Sequence, residues 1–152
     1  MEQAALKTLI ETETPGKGEL IQEFTVELSL TGGWTEEKPE LAQIKEGRTL
    51  LQTAWRYGFV HEPKPDRWRL RYVGKPHAAA MVFLNLNLED YLQLLHEKEI
   101  LQIKLDASTT YLILCQPMGG EYVEFLLPKG AQYEVSFDNL GYAVVACTIE
   151  NR

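Results

Sequence analysis

Arg67, Arg69 and Arg71 stand at every second position of the segment from Lys64 to His77. On a strand this spacing puts three guanidinium groups on one face, roughly 6.6–7 Å apart, close to the separation of successive phosphates along a nucleic-acid strand. Arginine binds phosphate and carboxylate alike, through paired N–H donors. The segment holds five of the chain's 15 Lys and Arg residues and one of its 22 acidic residues, a local charge of +4 in a chain of net −7. A positive stripe on a negative body attracts anionic partners at one place and repels them elsewhere. Lys64, Arg67, Arg69, Arg71 and Lys75 are therefore the candidate partner- or phosphate-binding residues. The plainer alternative is a strand whose arginines pair with nearby acids. Trp68 and Tyr72 alternate to the opposite face and read as core anchors, so a platform for stacking bases is not supported. Trp34 follows Gly32 and Gly33 and precedes Thr35, Glu36 and Glu37. It reads as an exposed contact anchor or, equally, as a ring folded over the next helix.

Other chemistry finds little footing. His61, His77 and His96 lack the short regular spacing of a metal site, and His96 beside Glu97 suits a solvated helix end. Neither a nucleophile elbow nor a phosphate-cradling glycine loop occurs. Cys115 and Cys147 sit inside apolar runs and read as buried free thiols. The sequence names no catalytic residue, no metal and no cofactor.

The elements that must position the stripe follow from periodicity. Residues 2–10 suggest a short helix through Leu6, Leu9 and Ile10, and 12–18 a turn-rich linker. Phe24 to Leu30 alternates apolar and polar, as a half-buried strand does. Residues 39–57 read as a helix with Gly47 as its weak point and Gly58 as its stop. The basic segment reads as an edge strand, because Pro65 and Pro76 bracket it. Residues 79–86 read as an apolar strand. Asn87 caps a helix with Asp90 three residues on, and Leu88, Tyr91, Leu92 and Leu95 form its inward stripe. Strands are expected at 100–105, 110–116, 122–127, 132–138 and 141–149, with Val144 and Phe137 inward and Glu134 and Asp138 outward.

These elements imply an α+β fold. Its sheet is mostly antiparallel, curled or partly barrel-like, with a C-terminal β-meander and two main helices. Residues 1–152 are expected to form one domain. The apolar share of 45% is ordinary for a folded domain, and no apolar run is long enough to span a bilayer. The cytoplasm is the expected compartment. The leading functional expectation is a non-catalytic accessory or adaptor subunit of a larger protein or ribonucleoprotein assembly, such as a CRISPR-type effector, docking through the basic edge strand. A second reading is an enzyme or small-ligand binder with a pocket between the sheet and the helix at 40–57, where Arg71 and His77 would supply polar groups. A third is a small inhibitor or regulator acting by protein contact.

Overall fold

The computed structural model describes residues 6–12, 24–30, 39–64 and 67–151. They form two four-stranded antiparallel sheets and three α-helices. The expected α+β class holds, and each sheet is open rather than closed into a barrel.

The first sheet has the order β1-β2-β4-β3, from β1 (Leu6–Thr12), β2 (Phe24–Leu30), β3 (Phe59–Lys64) and β4 (Arg67–Tyr72). The helix expected over residues 2–10 is thus a strand, paired with β2 from Leu6↔Leu30 to Thr12↔Phe24. The β-branched Thr8, Ile10 and Thr12 at alternate positions favour the extended chain. The basic strand β4 is also not at an edge. It pairs with β2 on one side and β3 on the other. Pro76 does not interrupt either ladder, because it lies inside the next helix, and Pro65 lies outside the described residues.

The two faces of this sheet differ. Leu28, Trp68 and Leu70 are buried on one face. They pack with Leu41 and Ala54 of the segment around α1 (Lys45–Thr53). The Trp68 indole N–H donates to the Pro39 carbonyl at 2.8 Å, which anchors the strand as expected of an inward Trp. Gly47 permits the tight turn at Leu41–Gln43 to lie against α1, since a Cβ there would sit 1.9 Å from the Leu41 carbonyl oxygen. The segment ends at Gly58, whose φ of +88° only glycine adopts without strain. The Gly58 carbonyl accepts from Val73 N at 2.8 Å and Gly74 N at 3.2 Å.

Residues expected as a strand at 79–86 belong to α2 (Lys75–Leu84). An apolar run of this length is compatible with either state, and its composition decides. Pro76 sits in the first turn, where its missing N–H costs nothing, and Ala78, Ala79 and Ala80 are fully buried. Asn85 ends the helix in the left-handed conformation. Helix α3 (Leu88–Lys98) follows, with Asp90 N donating to Asn87 Oδ1 at 2.8 Å, as the cap motif indicates. Tyr91 and Leu95 of its stripe are fully buried.

The second sheet has the order β5-β6-β8-β7, from β5 (Ile100–Lys104), β6 (Thr109–Pro117), β7 (Gln132–Phe137) and β8 (Tyr142–Glu150). Two hairpins, β5–β6 and β7–β8, are joined by pairing β6 with β8. No strand forms at 122–127; the chain from Met118 to Ala131 is irregular. Val144 is buried as expected, whereas Phe137 is 43% exposed and Asp138 is buried. The reversal arises because Asp138 closes the β7–β8 turn, where its Oδ1 accepts from Leu140 N and Tyr142 N. One core cluster draws on both sheets, with Val60, Ala78, Met81, Tyr91, Ile113, Cys115 and Val144 among its members.

Candidate functional site

Register places Glu27, Glu62, Arg69 and Arg71 on the face of the first sheet turned away from α1. Glu27 and Glu62 stand on either side of Arg69, and Thr25 and Val60 on either side of Arg71. Arg71 Nη2 donates to Glu62 Oε1 at 3.0 Å, and Arg69 Nε lies 3.9 Å from Glu62 Oε2. The three side chains are only 17–20% exposed. The structure therefore brings Arg69 and Arg71 together around a carboxylate rather than on an open surface. Lys75 is exposed at the start of α2, apart from that pair. Trp34 lies outside the described residues, as do the side chains of Lys64 and Arg67.

Beside this cluster runs a cleft of about 650 Å³. One wall is Leu51 and Ala54, from α1 and the turn after it; the other is Met81, Val82, Asn85, Leu86 and Leu88, from α2 and the start of α3. Strand β3 forms the floor through Phe59, Val60, His61, Glu62 and Pro63, and Arg71 reaches in from β4. The volume lies within the range of small-ligand sites, and a mostly apolar lining with a few convergent polar groups is their usual make-up. The Arg71–Glu62 ion pair adds charge to this otherwise mostly apolar lining. Glu62 carried no signal in the sequence, because its partners reach it only through the β3–β4 register.

The other titratable groups serve the core. His77, expected beside Arg71, instead has Nδ1 2.7 Å from the Tyr91 hydroxyl. Burial lowers His77 to about 4 and raises Tyr91. Burial, with Asp138 and Glu99 nearby, pushes the Cys115 thiol up to about 11, which leaves it a thiol and not a nucleophilic thiolate at neutral pH. Cys115 and Cys147 are free and buried, as the sequence indicates. His96 is not a solvated helix end: its Nε2 pairs with the buried Asp138 carboxylate and its ring stacks on Tyr142 at 3.7 Å. Among the described residues, no group of three or more His, Cys, Asp or Glu side chains is placed to hold a metal ion, and no helix is long and apolar enough to cross a membrane.

No protein-family model matches the chain. It is 27% identical over 147 residues to a D-alanyl-D-alanine carboxypeptidase of Enterococcus faecium, covering 83% of this chain and 48% of that protein. Its fold is similar to that of the vancomycin resistance D,D-dipeptidase VanXYg, solved in complex with a D-Ala-D-Ala phosphinate analogue. The TM-score is 0.64 at 19% identity, over 82% of this chain and 55% of that one. The chain spans about half the length of each. These likenesses correct the leading expectation. Both relatives are peptidases, which overturns the expectation of a non-catalytic adaptor subunit, its large protein or ribonucleoprotein partner and the non-enzyme assignment.

Proposed function

We propose that this chain serves a peptidase that acts on peptides ending in D-alanyl-D-alanine, and that the cleft over β3 receives the peptide end. The sequence likeness to a D-alanyl-D-alanine carboxypeptidase carries this reading. The cleft's chemistry supports it. Apolar walls suit the two small methyl side chains, and the Arg71 guanidinium at the cleft brings positive charge toward a terminal carboxylate. The two buried free thiols fit a reducing compartment, and we take the cytoplasm as the site of action.

The test is release of D-alanine from D-Ala-D-Ala and from N-acetyl-L-Lys-D-Ala-D-Ala, followed by a D-amino-acid-oxidase-coupled assay with and without added divalent cations, beside calorimetric binding of the same peptides. D-alanine release, or binding that Arg71→Ala weakens at least tenfold, supports the reading. Neither release nor binding of either peptide overturns it.

A further inference from the structure

Strand β3 ends the first sheet, and its outer side faces the cleft. Its ladder with β4 fixes which backbone groups point there. Gly58 O accepts from Val73 N, and the pairing continues through Val60↔Arg71, Glu62↔Arg69 and Lys64↔Arg67. In an antiparallel pair, hydrogen-bonded and non-hydrogen-bonded residues alternate. Val60, Glu62 and Lys64 therefore turn their N–H and C=O groups toward β4, and Phe59 and His61 turn theirs outward. Pro63, next in that outward series, has no N–H to offer.

The floor of the cleft is thus a short unpaired strand edge. It presents an N–H and a C=O at Phe59 and again at His61, and loses its donor at Pro63. Among the described residues, no strand pairs with this side. Added strands lie about 4.8 Å from their neighbours. The walls formed by Ala54 on one side and Met81 on the other leave a slot for one chain rather than for another sheet.

We propose that the main chain of a short extended peptide docks here as an added strand on β3, with the outward groups of Phe59 and His61 reading its amides. This rests on the peptidase reading and specifies how the substrate is held. The occupant is a peptide and not a second copy of this chain, because Pro63 and the walls restrict pairing to two or three residues. Strand addition takes affinity from main-chain hydrogen bonds and specificity from flanking side-chain pockets. Here the apolar wall residues and the Arg71–Glu62 pair would supply the selection.

The test separates backbone from side chain at one position. His61→Ala keeps the N–H and sets the reference for N-acetyl-L-Lys-D-Ala-D-Ala binding without the imidazole. His61→Pro removes the outward N–H while leaving the β3–β4 ladder intact, as Pro63 already does, and should bind at least tenfold more weakly. In the wild-type protein, hydrogen exchange followed by NMR should show the Phe59 and His61 amides protected on adding the peptide. This measurement holds even if His61→Pro fails to fold. Equal binding by both variants, or unprotected Phe59 and His61 amides in the peptide-bound protein, overturns strand addition. Protection of those amides supports the docking mode whether or not D-alanine is released, so its failure and the failure of the peptidase reading are told apart.

Discussion

His77 offers a direct reading of what the core enforces. Its imidazole is held against the Tyr91 hydroxyl, and burial lowers it from the ordinary 6.5 to about 4. Above pH 6.5 the ring is neutral in folded and unfolded chain alike, and His77 exerts no pH effect. Between 6.5 and about 4 the unfolded chain takes up a proton that the folded chain refuses. Stability must therefore fall as the pH drops through this window and level off below it. The full gap corresponds to about 3 kcal/mol, of which about 2 kcal/mol is reached by pH 5. In a domain of this size, that is a fall in Tm of about 4–8 °C. His77→Gln retains a polar group for Tyr91 but does not titrate. The measurement is a thermal melt of both proteins at pH 7.5 and pH 5. The wild type should lose about 4–8 °C more than the variant across that interval. Parallel melting temperatures would refute a buried neutral His77 as a determinant of acid stability.

Two further substitutions test the packing. Val144→Asp would place a carboxylate among Ile113, Cys115 and Ala146, where Val144 is 3% exposed, and should cost about 3–5 kcal/mol in urea denaturation; a cooperative transition at the wild-type midpoint would show that β8 presents another face. Gly47→Ala, which would gain about 1 kcal/mol in an ordinary helix, should instead lose about 2 kcal/mol because its Cβ would overlap the Leu41 carbonyl. A raised denaturation midpoint for Gly47→Ala would contradict that close approach.

The elements that were legible in the sequence carry local signals. The Asn87–Asp90 cap, the stripe through Tyr91 and Leu95 and the glycine stop at 58 depend on residues within one or two turns. Period two marked β2, and turn chemistry marked the strands β5 to β8. What failed depends on distant partners. Ala79 to Leu84 is equally apolar as strand or helix until both ends are placed. The arginine alternation was visible, but its meaning was not, because Glu62 and Glu27 flank Arg69 only through two antiparallel registers. The reading of β4 as an edge strand failed for the same reason, since Pro76 belongs to the next helix and β2 pairs with β4 from far along the chain. The cleft was invisible as a composition, being assembled from α1, β3, β4, α2 and the start of α3.

Gly58 has a consequence for how this protein can change. A Cβ there would lie 2.7 Å from the Tyr72 ring and 3.1 Å from Gly74 C and Lys75 N. One wall of the cleft stops at this glycine and the other starts against it, so the gap between them is set by main chain meeting main chain. Val82, which is 45% exposed on one wall, can then be exchanged for another apolar residue without disturbing that meeting point. The lining is thus free to vary at such exposed positions, while the width of the slot hangs on one position where any side chain is strained.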